Sequence, residues 1–449
     1  MTSRKLDDFM SAHKIEEIEC LIPDMAGVAR GKIIPAGKFL SGMGTRGLRM
    51  PEEIFILTVT GRYVAGPATT NAASTDIYLK PDETSMRMVP WYNEPTAQVI
   101  CDCNYLNDEP VDISPRHALK RVLELYAERG WKPVIAPELE FYLVARSADP
   151  DYPLEPPVGQ SGRKEAGGQA YGIDAVNEFE PIVEDIYDYC EPHRIDIGTL
   201  SHESGPAQLE INFEHGDPLE LADQVFLFKR AVRQAALKHN VYAIFMAKPH
   251  ESEPGNAMHI HQSVVDVKTG KNVFASRAGK ETKLFMNHIG GLQRYMGAAM
   301  PFLAPNVNSY RRLVPYTDAP TNVHWARDNR TVSLRVPNAD AQAMRVENRV
   351  PGADCNPYLA IAATLACGYL GMVERLKPSS PVEGSAYRYA HTLPLNMEEA
   401  LSKLNYTKPL KQVFGERFVA AYQEVKEYEM VQYRKVISSW EREHLLLNV

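Results

Sequence analysis

The sequence predicts an α+β protein in two parts, a β-rich domain over residues 1–110 and a larger domain over 111–449. Its 449 residues exceed what one ordinary core organises, so more than one unit is expected. Up to Asp112, short apolar runs are broken by frequent turn signals, the mark of strands. Beyond Ser114, strand-length runs alternate with helix-length periodic segments, but without regular short βαβ units.

Taken in order, Ile15 to Leu21 and Val28 to Ile34 flank the turn Pro23-Asp24-Met25-Ala26-Gly27 and predict a hairpin. Gly42-x-Gly44-x-x-Gly47 matches a dinucleotide-binding pattern, but Leu48-Arg49-Met50-Pro51 follows it and opens no helix, so the match is read as fortuitous. Ile54 to Thr60 and Gln98 to Cys103 are expected strands. Ser114-Pro115 starts a helix that stops at Gly130. A strand over Pro133 to Val144 follows, then a Pro-, Gly- and charge-rich loop over Asp149 to Gln169. A helix is expected over Val176 to Glu191, an extended segment over Ile195 to Leu200, and a long helix from Asp217-Pro218 to His239-Asn240. Val241 to Ala247 and Met258 to Val265 are expected strands. Late helices cover Lys283 to Met300, Pro357 to Glu374 and Phe414 to Leu447.

Apolar content of 44% and charged content of 24% are those of a globular chain, and a net charge of −8 argues against nucleic acid or anionic membrane as a partner. No apolar run approaches the ~20 residues that span a bilayer. Met1 to Lys14 is polar and lacks the apolar centre of a signal peptide. Six cysteines form no CxxC pair, which suits reduced thiols and a cytoplasmic protein.

Against this acidic background, Asn306 to Arg349 holds seven arginines and no lysine. Arginine is chosen where planar, bidentate contacts to phosphate or carboxylate are wanted. Strand alternation puts Arg345, Glu347 and Arg349 on one face, which is either a buried ion-pair network or half of a metal–anion site. Glu138 and Glu140, two apart in an otherwise apolar strand, face the same way and repel unless a cation or an acid–base task calls for them. Glu203 and Glu210 flank a Gly205-Pro206 turn; alone, they describe an ordinary hairpin with charged ends. His259 and His261 are again two apart, as metal ligands or as hydrogen-bonded core histidines. With Glu347 the set is five carboxylates and one or two imidazoles, a donor set that suits Mg²⁺ or Mn²⁺ better than Zn²⁺. Such a cluster beside an arginine cradle is the equipment of phosphoryl transfer, and no P-loop motif is present.

These segments, in order, resemble the glutamine synthetase superfamily: Pro137-Glu138-Leu139-Glu140-Phe141, Glu203 to Glu210, Gly255-Asn256-Ala257-Met258-His259-Ile260-His261-Gln262-Ser263, Asn308 to Pro315, Asn329-Arg330 to Arg335-Val336-Pro337, and Arg345-Val346-Glu347-Asn348-Arg349. The resemblance spans nearly the whole chain, and Gly-x-x-Met-His-x-His-x-Ser is its most specific part. It implies an N-terminal β-grasp domain, a C-terminal catalytic domain, and active sites between subunits of a ring, typically a dodecamer. It further implies that Glu140, Glu203 and Glu210 hold one Mg²⁺ or Mn²⁺, and Glu138, His259 and Glu347 a second. Gly255, Asn256, Arg312 and Arg349 would bind glutamate. Arg330, Arg335 and Arg345, with His261 and Ser263, would serve ATP. Arg330, Asp318 and Glu347 would be catalytic, in a reaction that makes γ-glutamyl phosphate for attack by a neutral amine.

The departures from the family bear on the amine. Its ammonia-using members carry Phe-Asp-Gly-Ser-Ser in the small domain, where this chain has Leu48-Arg49-Met50-Pro51-Glu52-Glu53-Ile54-Phe55. The flap glutamate is Asp318 here. The Met-Pro-Glu stretch and Thr58-Val59-Thr60-Gly61 are similar to the γ-glutamylpolyamine synthetase branch. Glu52 or Glu53 would then meet an alkylammonium beside Tyr171 and Asp318, or simply be a solvated strand start. His391 stands where bacterial relatives place a modifiable tyrosine, so adenylylation control is expected to be absent. The expected function is ATP-dependent ligation of glutamate to a polyamine or small monoamine. The alternatives are an ammonia-dependent glutamine synthetase and, from another class, a non-catalytic structural relative.

Overall fold

The computed structural model describes residues 4–43, 45–69 and 75–449. Met1 to Ser3 and Gly44 of the glycine pattern lie outside the described residues. A short helix α1 (Arg4–Ala12) leads into β1 (Glu17–Pro23) and β2 (Ala29–Pro35), the expected hairpin, followed by α2 (Ala36–Met43) and β3 (Arg49–Pro51). With β4 (Asp76–Pro81), β5 (Arg87–Met88) and β6 (Thr96–Asn104), these strands form a sheet of order β2-β1-β6-β4-β3, in which β5 also pairs β6. β1 and β6 run parallel and the other pairs antiparallel.

One expectation fails in this region. Glu52–Ile56 is a 3-10 helix rather than the start of a strand. Pro51 brings the chain in extended, and the turn buries Glu52, Ile54, Phe55 and Ile56 together, which alternation cannot do.

The second sheet carries the acidic, histidine and arginine residues of the sequence motifs. Helix α3 (Pro115–Ala127) precedes β7 (Trp131–Ala145), the long central strand. After the irregular loop come α4 (Ile173–Asn177) and α5 (Glu180–Cys190), then β8 (Ile197–His202) and β9 (Gln208–Phe213). The single helix expected over 176–191 is thus two, because Pro181 in the first turn of α5 lacks the N–H that continuity requires. Helix α6 (Pro218–Lys238) is capped by the Asp217 carboxylate, which accepts from Leu219 N and Glu220 N. Strands β10 (Val241–Ile244) and β11 (Met258–Asp266), helix α7 (Lys283–Leu303) and the short strands β12 (Trp325–Arg327), β13 (Leu334–Val336) and β14 (Val346–Asn348) follow. The order is β12-β13-β14-β11-β7-β9-β8, with β10 also on β7.

Helix α8 (Pro357–Glu374) is apolar all round and buried from Pro357 through Met372, as a central core helix must be. It packs closely on α7, where a Cβ at Gly291 would lie 2.2 Å from Cys367 O. Helices α9 (Met397–Tyr406), α10 (Lys408–Phe414), α11 (Glu416–Tyr433) and α12 (Ser439–Leu445) finish the chain. The break before α12 replaces the one helix expected over 414–447; Ser438 and Glu441 form a capping box there that starts a new helix. All six cysteines are buried and free.

Candidate active site

Strand register assembles the site. On β7, Glu138 stands opposite His259 of β11 and Glu140 opposite Glu210 of β9. One strand further, His261 stands opposite Glu347 of β14, and Glu347 opposite Arg335 of β13. Period-two alternation sends all these side chains to one face. Glu203 joins from the β8–β9 turn, where its N–H donates to Gln208 O.

Among the described residues, three groups that could hold a metal ion result, each with donor atoms within 4.8 Å of one another: Glu140, Glu203 and Glu210; Glu138, Glu210 and His259; and Glu138, His261 and Glu347. The first matches the set implied by the resemblance. The implied second set, Glu138, His259 and Glu347, is divided between the other two groups: His259 stands with Glu138 and Glu210, and Glu347 with Glu138 and His261. Hard oxygen donors with one or two imidazoles fit Mg²⁺ or Mn²⁺.

The electrostatics divide the cluster. Burial, and then the neighbouring carboxylates, push Glu140 up to about 8 and Glu210 up to about 9. Glu203 is raised by burial and by Asp318, against the Ser204 N–H and the nearby Arg330. These three acids face one another with no guanidinium bonded to them, and a divalent cation would relieve the strain. Burial works against charge on Glu138 and Glu347 too, but there it loses. His259 and His261 hold Glu138 well below the carboxylate range, and Arg349 with the histidines holds Glu347 down at about 2. His259, by contrast, is lowered by burial and by Arg349. His261 takes a defined tautomer: Arg345 Nε donates to its Nδ1 at 3.2 Å, so its Nε2–H faces Glu138 Oε1 at 2.7 Å.

Around the cluster lies a cavity of 340 Å³ lined by Glu138, Glu140, Glu203, Glu210 and His259, and by Arg312, Arg330, Arg335 and Arg349. Arg349 Nη1 binds Glu347 Oε1 at 2.6 Å, and Arg335 Nη1 binds Glu347 Oε2 at 2.9 Å. The Nε of each of these two arginines is buried with no protein partner. A buried N–H with nothing to bind is costly, so both donors are set to meet an anion. Arg312 is 3% exposed and is held by the Val350 and Pro351 carbonyls. Gly255 is obligatory beside it: a Cβ there would meet Arg312 Cγ at 2.4 Å.

A second cavity, of 430 Å³, adjoins through His261 and holds Ser263 and Arg345, with Val134–Ala136, Phe213, His215 and Gln342. The site is therefore two compartments that meet at the Glu138–His261 hydrogen bond.

Tyr171, Thr317, Asp318 and Ala319 also line the first cavity. Tyr171 and Asp318 are both left-handed, with φ of 61° and 56°, as is Tyr316 at 63°. The structure does not bring Glu52, Glu53 or Asn256 to this cavity. Glu52 is buried, bonded to Arg417 at 2.8 Å and to Tyr105 at 2.6 Å. The Asn256 amide is fully buried and spent on Gln208 and the Met246 carbonyl, so it props the Gly255 turn from behind. Gln208 and Asn212 are lining residues that sequence reasoning missed. Their signal was available, since 208, 210 and 212 share one strand face.

A family model described as "Glutamine synthetase, catalytic domain" matches residues 112–445. Glutamate--isopropylamine ligase of a Pseudomonas species is 34% identical over 450 residues, covering 97% of this chain and 96% of the relative. Gamma-glutamylputrescine synthetase PuuA of Escherichia coli is 34% identical over 440 residues, covering 96% and 92%. Among solved structures, "Apo GmaS without ligand" superimposes with a TM-score of 0.85 at 26% identity, covering all of both chains. The order of motifs, the acidic and arginine-lined cleft and these likenesses agree: the chain belongs to the glutamine synthetase superfamily, in its γ-glutamylamine synthetase branch.

Proposed function

We propose that this cleft ligates the γ-carboxylate of glutamate to an organic amine, at the expense of ATP, through γ-glutamyl phosphate. The observation that carries the reading is the juxtaposition of a carboxylate cluster needing cations with two buried guanidinium donors needing an anion, in one cavity. Support for an organic amine comes from the relatives named for isopropylamine and putrescine and from the absence of the Phe-Asp-Gly-Ser-Ser stretch.

ATP occupies the compartment of His261, Ser263 and Arg345, with its γ-phosphate toward Glu138. Glu140, Glu203 and Glu210 would hold one divalent ion, and Glu138 with His259 and Glu347 would hold a second, Glu210 and His261 standing near; bound there, such ions would neutralise phosphate and carboxylate charge. Arg312 and Arg349 grip glutamate above Gly255, so that its γ-carboxylate oxygen attacks the γ-phosphorus and ADP leaves. Arg330 and Arg335 offset the charge that builds on the transferred group. Asp318, carried on the flap, takes a proton from the alkylammonium, and the neutral amine displaces phosphate from the acyl carbon.

The reading includes a cytoplasmic homo-oligomeric ring, a dodecamer, with an N-terminal β-grasp domain that closes the neighbour's site. Glu53 would act across that boundary, Glu52 being committed to Arg417 and Tyr105. The test is ADP release with ATP, glutamate and Mg²⁺ over a panel of ammonium, short alkylamines, ethanolamine, putrescine and spermidine, with product mass read. Turnover on an organic amine with little on ammonium is expected. Turnover confined to ammonium would return the protein to glutamine synthesis.

A further inference from the structure

The long loop before α4 has no regular structure, yet its last part is fixed to the catalytic hairpin at four points. Glu165 Oε2 accepts from His202 Nε2 at 3.1 Å and from Ala207 N at 2.6 Å. The backbone at Gly168 sits so close on the turn that a Cβ would lie 1.8 Å from Ser204 O. Tyr171 N donates to His202 O at 2.9 Å. The segment 165–171 thus wraps the turn that joins Glu203 to Glu210, and it delivers the Tyr171 side chain to the cavity wall beside Ser204.

The central tie is a carboxylate–imidazole contact out of water. The His202 ring is 0% exposed and the Glu165 side chain 11%. His202 Nδ1 lies 2.8 Å from the Glu203 carbonyl, which can only accept, so Nδ1 carries a proton. Nε2 lies 3.1 Å from the Glu165 carboxylate, so both ring nitrogens are engaged. A buried carboxylate that bonds a buried imidazole and a backbone N–H through one oxygen is a rigid fastening. His202 meets Glu203 only at its backbone carbonyl; Glu165 and His202 bond none of the clustered carboxylates or arginines, and none of the steps above uses them.

We infer that Glu165 is a positioning residue for amine selection: with His202 and Gly168 it latches the 165–171 segment to the hairpin and so sets how much room Tyr171 leaves at the amine end of the cavity. The inference rests on the amine-ligase reading and adds the element that tunes it. Tyr171 adopts its left-handed backbone because both flanks are pinned, Gly168 on Ser204 and its own N–H on His202. Releasing Glu165 frees one flank, so the wall at Tyr171 gives while the sheet residues that hold glutamate and ATP stay in register.

The experiment compares wild type with Glu165→Gln, Glu165→Asp and Gly168→Ala in steady-state turnover, each substrate varied in turn. Glu165→Gln keeps an acceptor for Ala207 N but loses the charge; Gly168→Ala displaces the loop and leaves the charge alone. In both, KM for the preferred amine is expected to rise roughly tenfold or more, and the ratio of alkylamine to ammonium turnover to change, with KM for ATP and glutamate within about twofold. Glu165→Asp restores most of the amine KM. Amine KM and selectivity unchanged in both variants would overturn the inference, as would a parallel loss for all three substrates, the mark of a merely structural tie. A wild type that uses only ammonium would sink the amine-ligase reading alone, since the latch then predicts the same selective rise in KM for ammonium. If Gly168→Ala fails to fold, the Gln and Asp pair at 165 decides.

Discussion

Replacing Glu210 by glutamine is expected to stabilise the metal-free protein and to abolish most of the stabilisation that a divalent ion confers, two effects of opposite sign from one oxygen-for-nitrogen exchange. Glu210 shares a site with Glu140 and Glu203 whose donor atoms lie within 4.8 Å of each other. At that separation and an effective dielectric near 20, each like-charge contact costs ~3.5 kcal/mol (332 divided by 20 and by 4.8). The carboxyl pushed up to about 9 from 4.5 gives a comparable figure. A raised acid costs stability above its unfolded pKa, and by pH 7.5 that cost is ~4 kcal/mol, three pH units above 4.5 at 1.36 each. Glu140 and Glu203 keep repelling one another, so ~2 kcal/mol is the expected gain in the variant without metal. Wild type should gain ~2.7 kcal/mol from Mn²⁺ or Mg²⁺ at a hundredfold excess over Kd, and the variant well under half of that. The assay is urea unfolding at pH 7.5, first with a chelator and then with each ion. A variant that is less stable than wild type in chelator, or one stabilised equally by the ion, would refute the assignment of Glu210 to a cation site.

Glu138→Gln removes the carboxylate that bridges His259 and His261 and should abolish ADP formation while circular dichroism stays native; near-normal turnover would exclude the metal assignment. Arg349→Lys cannot keep both the Glu347 contact and the free Nε donor, so KM for glutamate should rise at least ~10-fold with KM for ATP little changed. Asp318→Ala should slow amine-dependent turnover by about 10²–10³ and spare nucleotide affinity; a collapse in ATP binding would show that the flap lies elsewhere. His193 and His288 are buried and pushed down to about 3 by desolvation, so the folded state holds them neutral. Their stabilising effect is complete above pH 6.5 and lost as pH falls toward 3, amounting to ~2 kcal/mol each by pH 5 (1.5 units at 1.36). Glu140 and Glu210 titrate in the opposite sense over this range, so the histidine effect is read by difference: between pH 7 and pH 5, His288→Gln should lose ~2 kcal/mol less stability than wild type in urea unfolding.

The main strands, the core helices and the paired acids and histidines that lie two apart were legible in the chain. Those follow from local rules: Glu138 and Glu140, or His259 and His261, share a face because strand period is two, and α8 is a core helix because it is apolar all round. Short-range signals were weaker where burial overrode them, as at Glu52–Ile56, or where proline or a new cap cut a long periodic run, as before α5 and α12. Tertiary structure alone decided which ligands meet. Glu138 faces His259 and Asn212 through two different strand neighbours, and no periodicity within β7 specifies either register. It also decided the fate of Glu52 and Asn256, whose polar groups are spent on Arg417 and on the Met246 carbonyl. The latch of Glu165 on His202 spans 37 residues and could not be read from spacing. Pairings of that kind depend on where the hydrogen-bonding needs of buried groups are met once the chain has packed, which is a property of the fold as a whole.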